Sequence, residues 1–149
     1  MSMLQHFSIS SEPVNADAIK AFVQEVSTGA TVIFEGIVRP DDMGDQEQVA
    51  SIEYEGLPEM AIKELEKIAV QLQSQFEIQS IYFHHLLGKV AVGQTAVWVG
   101  ISAKHRKDAF GALDVLMDEV KKTVPIFKKE IGQENSTKWV VPTLQNEKK

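Results

Sequence analysis

Hydrophobic residues recur every three or four positions in three segments of the chain, which is the spacing of amphipathic helices. The predicted helices cover about residues 15–27, 58–76 and 105–123. Asn15 is a suitable N-cap for the first helix, and Gly29 fits just beyond its end. Pro58 suits the first turn of the second helix, and Pro125 prevents a simple continuation of the third. The positions expected to face a core are Ile19, Phe22, Val23, Val26, Ala61, Leu65, Ile68, Leu72, Phe76, Phe110, Leu113, Met117 and Val120.

Segments rich in β-branched and aromatic residues lie between these helices and are typical of strands. The predicted strands cover residues 29–39, 49–55, about 78–87 and about 95–102, with a short extended piece at 138–141. The acidic stretch 40–48 is predicted to be a turn-rich loop. Because some neighbouring strands have no helix between them, the pattern favours an α+β or mixed α/β domain over a regular parallel sheet.

The composition is that of a globular domain, with 149 residues of which 44% are hydrophobic and 24% charged. We expect one domain over residues 1–149, with residues 142–149 as a flexible tail. No apolar run approaches the roughly 20 residues that a membrane span needs. The N-terminus also lacks the basic start and long apolar stretch of a secretory signal. A cytoplasmic location without a membrane partner is therefore expected.

The net charge of −6 is unevenly distributed along the chain. Residues 1–103 carry five basic and 14 acidic side chains, whereas residues 104–129 carry seven basic and four acidic ones. An acidic protein with one basic segment is a poor general nucleic-acid binder but a reasonable receptor for a small anion. The chain contains no cysteine, which excludes disulfides, thiolate metal sites and a cysteine nucleophile. Any sulfur that this protein handles must therefore arrive on another molecule.

A basic run, Lys104 to Lys107, lies at the start of the third predicted helix and contains His105 and Arg106. Helix N-termini carry a partial positive charge and free N–H groups, so a bound anion would be stabilised there. The alternative is that the helix begins later, with Asp108 as its cap and the basic residues in a solvated loop.

A second basic cluster surrounds Pro125 and contains Lys121, Lys122, Lys128 and Lys129. Lysines near a helix C-terminus complement the helix dipole and need no function. Gathered ammonium groups, however, disfavour one another's charge, which can lower a lysine pKa toward catalytic use. Both interpretations remain open on these residues alone.

The two basic clusters cannot serve one small ligand from a single straight helix. His105 and Lys121 are separated by about 24 Å of helical rise and about 160° of rotation. Either the clusters are separate sites, or each site draws one cluster from each of two chains. The second possibility predicts a symmetric dimer with two composite pockets.

The remaining polar candidates carry weaker signals. Arg39 ends the first predicted strand and could hold a phosphate, although such arginines are more often ordinary surface residues. His84 and His85 are adjacent in a strand and point to opposite faces, so they cannot bind one metal ion together. His85 is expected to be packed or hydrogen-bonded. No metal or cofactor site is predicted.

Six stretches, taken in order, resemble the family of large, catalytic subunits of molybdopterin synthase. They are VIFEGIVR, IEYEG, HHLLGKVAVGQ, AKHRKDAF, VKKTVPIFKKE and KWV, and together they extend from about residue 29 to residue 141. The most specific parts are G-x-V-R, H-R-x-x-A-F and K-x-x-x-P-x-F-K. The resemblance implies a hammerhead-like α+β fold with antiparallel-rich sheets packed against about three helices.

The resemblance also implies a reaction and its partners. The family converts cyclic pyranopterin monophosphate (precursor Z) into molybdopterin by inserting two dithiolene sulfurs. The sulfur arrives as a thiocarboxylate on the C-terminal Gly-Gly tail of a small ubiquitin-like subunit. Two large subunits form a homodimer within a heterotetramer, and no cofactor is implied.

Residue roles carry over by position in the matching motifs. The resemblance implies that Lys121 is the main catalytic residue and that Lys128 assists catalysis and holds substrate. It assigns Arg39, His105 and Arg106 to the substrate's phosphate and pterin. Four neighbours are expected to line the pocket partly through backbone, namely Ile37, Val38, Lys129 and Glu130.

The sequence differs from the family pattern in three places. Phe127 replaces a usual tryptophan, Leu86 replaces a frequent arginine, and the acidic loop after Pro40 differs from the usual form. Because the five principal basic residues are all present, an active sulfurtransferase is predicted. The alternatives are a non-catalytic module that binds a phosphate or nucleotide, or a module that binds a ubiquitin-like protein.

Overall fold

A computed structural model describes residues 3–44 and 46–140, which form three helices and nine strands. The helices are α1 (Ala16–Val23), α2 (Pro58–Gln75) and α3 (Arg106–Thr123). The strands are β1 (Leu4–Ser10), β2 (Ala30–Ile37), β3 (Asp42–Gly44), β4 (Glu47–Gly56), β5 (Ile78–Leu86), β6 (Gly88–Ala91), β7 (Thr95–Ala103), β8 (Ile126–Gly132) and β9 (Thr137–Val140). Within the described ranges, none of the three helices combines the length and the hydrophobicity of a membrane span.

The first sheet has the strand order β1-β5-β7-β2 and is covered by helices on both faces. β1 runs parallel to β5, and the other pairings in the described residues are antiparallel. The main core lies between this sheet and helices α2 and α3, and its buried residues include Leu65, Phe83 and Leu116. On the other face, Ile19 and Val23 of α1 pack against Tyr82 and Trp98. The central strands β5 and β7 are buried because both faces are covered.

The second sheet has the order β3-β4-β8-β9, and β6 also pairs with β4. Its own small core contains Val38, Val49, Tyr54, Val90 and Ala96. β8 begins directly after α3 and pairs with β4. This connection brings the C-terminal end of α3 to the junction of the two sheets, where the second basic cluster lies.

The α+β fold class is confirmed, and helices α2 and α3 agree closely with the predicted spans. The first helix ends at Val23 rather than Ser27, because the Glu25 N–H donates to the Thr28 Oγ1 at 3.0 Å in a side-chain-stabilised turn. Val26, predicted to face a core, is therefore fully exposed.

The inward face of α3 also differs from the prediction. Phe110 is 58% exposed, whereas the small residues Ala109 and Ala112 are fully buried together with Leu116. The alanines let the helix approach the sheet closely, so the larger residues Leu113 and Met117 lie on the flank of the contact.

Strands β1, β6 and β8 were not predicted, and the predicted acidic loop contains the short strand β3. The predicted extended piece at 138–141 corresponds to β9, with residue 141 outside the described residues. The expected flexible tail at 142–149 also lies outside them.

Candidate functional site

Helix α3 begins at Arg106 with His105 as its N-cap, so the alternative of a later start at Asp108 is wrong. No side-chain hydrogen bond caps this end. Residues 104–107 are exposed and lie around the free N–H groups of the first turn. The first basic cluster thus has the placement of an anion-binding helix end.

The second basic cluster lies at the other end of the same helix. Lys121 lies in the last turn of α3, and the chain then reverses at Pro125 into β8. The reversal is held by the N–H of Leu57, which donates to the Pro125 carbonyl at 3.2 Å. Lys128 follows in β8, so the turn brings two lysines from different elements to one side of the molecule.

Arg39 joins these lysines from the end of β2. The backbone before it is fixed because the Val38 N–H donates to the Gln94 carbonyl and the Val38 carbonyl accepts from Gly93. The Arg39 guanidinium pairs with Asp41 at 3.0 Å while remaining largely exposed. One side of the guanidinium is therefore available to an anionic ligand.

The charges of Lys121 and Arg39 act on Lys128. The pKa of Lys128 is lowered from its ordinary value, first by loss of hydration and then by repulsion from Lys121 and Arg39. Glu130 and Asp41 oppose this shift. Lys128 retains exposed surface in the single chain, so its hydration is reduced on one side rather than lost. Arg39, Lys121 and Lys128 together form the basic triad.

The neighbours predicted to line the pocket divide between two faces of the second sheet. Lys128 lies opposite Tyr54, and Glu130 lies opposite Ile52, on the face toward the small core. Lys129 points to the other face, where its Nζ lies 2.9 Å from Glu53 and 5.5 Å from the Trp139 ring centre. Only the backbone of Lys129 can therefore face the triad.

Ile37 and Val38 differ in the exposure of their side chains. Ile37 is 55% exposed beside the triad, whereas the side chain of Val38 is buried in the small core. Val38 therefore contributes to the site through the backbone that fixes Arg39. His105 and Arg106 do not join the triad within one chain, because α3 separates its two ends by its full length.

A surface cavity of about 310 Å³, not predicted from the sequence, ends at Lys121. Its lining residues are Phe34, Phe110, Leu113, Asp114, Met117 and Lys121. The exposed Phe110 belongs to this cavity, which explains why a large apolar residue lies outside the core. The helical spacing of Phe110, Leu113 and Met117 marked a common face, but it could not distinguish a groove from a core.

Two buried side chains behind Lys128 were also missed as site residues. His85 and Tyr54 are 7% and 6% exposed, and their ring centres lie 4.7 Å apart in an edge-to-face contact. The Nδ1 of His85 contacts the Leu86 carbonyl at 2.7 Å, so the expectation that His85 is packed or hydrogen-bonded is confirmed, and both are true. Burial lowers the pKa of His85 to about 4, with Lys128 contributing to the shift. Burial raises the pKa of Tyr54 to about 12.

The fold and these contacts define an α+β domain whose two sheets meet at a cluster of basic groups beside an apolar groove. Such a combination suits an anionic ligand and an extended apolar or small-residue chain. Within the described residues, no group of three or more histidine, aspartate or glutamate side chains is arranged to hold a metal ion.

Residues 9–123 match the family model described as MoaE protein, and the chain belongs to that family. The molybdopterin synthase catalytic subunit of Pyrococcus abyssi (strain GE5 / Orsay) is 41% identical over 129 residues, which are 87% of this chain and 85% of the relative. The resemblance found in the sequence motifs is thereby confirmed.

Solved structures support the same fold. Molybdopterin synthase from Staphylococcus aureus matches with a TM-score of 0.82 and 30% identity, covering 91% of this chain and 97% of that chain. A chain of the complex of subunits 1 and 2 of molybdopterin-converting factor from Helicobacter pylori 26695 matches with a TM-score of 0.70. Its identity is 20%, over 91% of this chain and 89% of that chain, so it supports the fold alone.

Proposed function

We propose that this protein is the catalytic subunit of a molybdopterin synthase. It transfers sulfur from the C-terminal thiocarboxylate of a small ubiquitin-like carrier to cyclic pyranopterin monophosphate, and forms the dithiolene of molybdopterin. The convergence of Arg39, Lys121 and Lys128 in a MoaE family member is the observation that carries the proposal. A cytoplasmic location is part of it.

The basic triad suits this chemistry because both reactants are anionic. The Lys121 ammonium lies at the mouth of the groove, where it can stabilise negative charge on the reacting thiocarboxylate carbonyl. Lys128, whose pKa is lowered, is better suited than an ordinary lysine to exchange a proton near neutral pH. Arg39 can hold the phosphate with its planar fork.

The groove that ends at Lys121 is the proposed path of the carrier's tail. Phe34, Leu113 and Met117 provide an apolar floor, and a Gly-Gly terminus has no side chains to clash with it. The tail would place its thiocarboxylate at Lys121. The absence of cysteine agrees with sulfur that is delivered on the carrier.

The phosphate site is proposed to be completed by a second copy of the chain. His105 and Arg106 are exposed at the far end of α3, and they can reach a triad only across an interface. A symmetric dimer with one carrier bound to each subunit satisfies this requirement.

A reconstituted reaction tests the proposal. Purified protein, thiocarboxylated carrier and precursor Z are expected to yield molybdopterin, and Lys121→Ala is expected to reduce turnover by about 10²–10⁴-fold. Lys122→Ala is the matched control, since Lys122 is an exposed lysine one position away and should retain activity. Unchanged turnover in Lys121→Ala would refute the catalytic assignment. Carrier binding without any turnover in the unaltered protein would favour a non-catalytic binding module.

A further inference from the structure

The buried pair formed by Tyr54 and His85 lies directly behind Lys128. Tyr54 is the cross-strand partner of Lys128 in the β4–β8 pairing, so the two side chains lie on the same face of the sheet. The His85 ring packs edge-to-face on Tyr54. The reaction as proposed above gives neither residue a role.

The hydrogen bond of His85 determines its tautomer. The Leu86 carbonyl can only accept, so the Nδ1 of His85 must carry the proton that is donated across 2.7 Å. The Nε2 of a neutral ring then carries no proton. The same contact fixes the orientation of the ring against Tyr54.

The charged and titratable groups around His85 also favour a neutral ring. Lys128 of β8 and His84 of the same strand both disfavour a positive charge on His85, and Tyr54 of β4 is a neutral phenol at physiological pH. With 7% of its surface exposed, the ring is also poorly hydrated. Lys128 is therefore the cross-strand neighbour of a neutral phenol that packs on a second neutral ring, and neither ring provides it with a counter-ion.

We propose that Tyr54 and His85 form a positioning element for the sulfur-transfer reaction: a neutral, buried wall that limits the hydration of the Lys128 ammonium on one side and directs it toward Lys121 and the incoming anion. An ammonium group that lacks hydration on one side is less stable in its charged form. The wall therefore makes Lys128 a more effective proton donor. The consequence for catalysis rests on the proposed function, whereas the effect on Lys128 itself does not.

The effect on Lys128 can be measured without any partner. In the full chain labelled with ¹³C at lysine Cε, the Lys128 resonance is assigned from its absence in Lys128→Arg and is then titrated with pH. His85→Ala is expected to admit water and raise the pKa of Lys128 by about one unit, within the range of burial effects. His85→Phe keeps a neutral ring of similar size and is expected to leave the Lys128 titration near that of the unaltered protein.

Two further variants keep the test decisive. His85→Asn retains a side-chain N–H near the Leu86 carbonyl but lacks the ring, so it should raise the Lys128 pKa even if His85→Ala does not fold. His84→Gln is the matched control, because His84 is also buried but packs on the opposite face near Trp98. His84→Gln should leave the pKa of Lys128 unchanged. The proposal is overturned if both ring-removing variants leave Lys128 unchanged, if His85→Phe shifts it as much as they do, or if His84→Gln produces an equal shift.

The catalytic consequence is read from the pH profile of kcat. The profile is measured with thiocarboxylated carrier and precursor Z. The limb of the kcat profile that reports the titration of Lys128 should move to higher pH in His85→Asn and stay in place in His84→Gln. A loss of activity with no displacement of the limb would indicate a merely structural role and contradict the proposal. If the unaltered protein shows no turnover, the proposed function fails, while the Lys128 titration still decides the inference.

Discussion

Buried histidines make the stability of this protein depend on pH. Burial lowers the pKa of His85 from 6.5 to about 4, so between these values the unfolded chain binds more protons than the folded one. The free energy of unfolding should therefore fall as the pH is lowered from about 6.5 to about 4, by up to ~3 kcal/mol from this residue. His84, whose pKa is also lowered by burial, acts in the same direction.

Urea unfolding at several pH values measures this dependence. His85→Phe cannot take up a proton, so its stability should fall less between pH 6.5 and pH 4 than that of the unaltered protein. The two proteins are compared by the slope of the unfolding free energy against pH. This slope does not depend on the constant free energy lost with the hydrogen bond to Leu86. Equal slopes in the two proteins would show that His85 does not titrate in this range.

Helix α3 illustrates which features of an element its sequence reveals. Its boundaries were predictable because Pro125 ends the apolar periodicity, but its buried face was assigned to Phe110 rather than to Ala109 and Ala112. Hydrophobicity ranks phenylalanine above alanine, whereas close helix–sheet packing requires the smaller side chain. The periodicity therefore predicted the helix correctly but assigned its buried face to the wrong residues.

A pair of substitutions tests the observed orientation of α3. Ala112→Leu inserts a larger side chain at a fully buried position and should destabilise the protein by about 1–3 kcal/mol. Phe110→Ala removes a larger group from a 58% exposed position and should change the unfolding free energy by less. Thermal unfolding of both variants gives the comparison. If Phe110→Ala destabilises the protein more than Ala112→Leu does, the observed orientation is wrong and Phe110 belongs to the buried face of α3.

Strand β8 shows why parts of the site escaped prediction. Ile126 and Phe127 are followed by three consecutive charged residues at 128–130, so the strand lacks the alternation of apolar and polar positions that is typical of a half-buried strand. The strand forms because β4 and β9 pair with it on both sides, and these long-range contacts are invisible in local sequence. The lysines themselves were identified from their clustering and family motifs, but the placement of Tyr54 and His85 beside Lys128 depends on the β4–β8 pairing.

On the scale of the whole molecule, the two ends of α3 carry two separate groups of basic residues. The basic triad lies at one end, and His105 and Arg106 lie at the other, one helix length away. If a composite site uses the triad of one subunit and the N-terminal cluster of its partner, each dimer contains two such sites. A substitution at either end then inactivates both sites of a homodimer.

Mixed dimers distinguish a composite site from a site within one chain. Lys121→Ala and Arg106→Ala homodimers should both be nearly inactive. A heterodimer of the two variants would contain one doubly altered site and one intact site, so random reassortment should restore about a quarter of the unaltered activity. If every site lies within one chain, no intact site can form and mixing should restore nothing. Mass spectrometry of the mixture verifies that heterodimers have formed, so an absence of rescue would then assign the two groups of basic residues to separate functions.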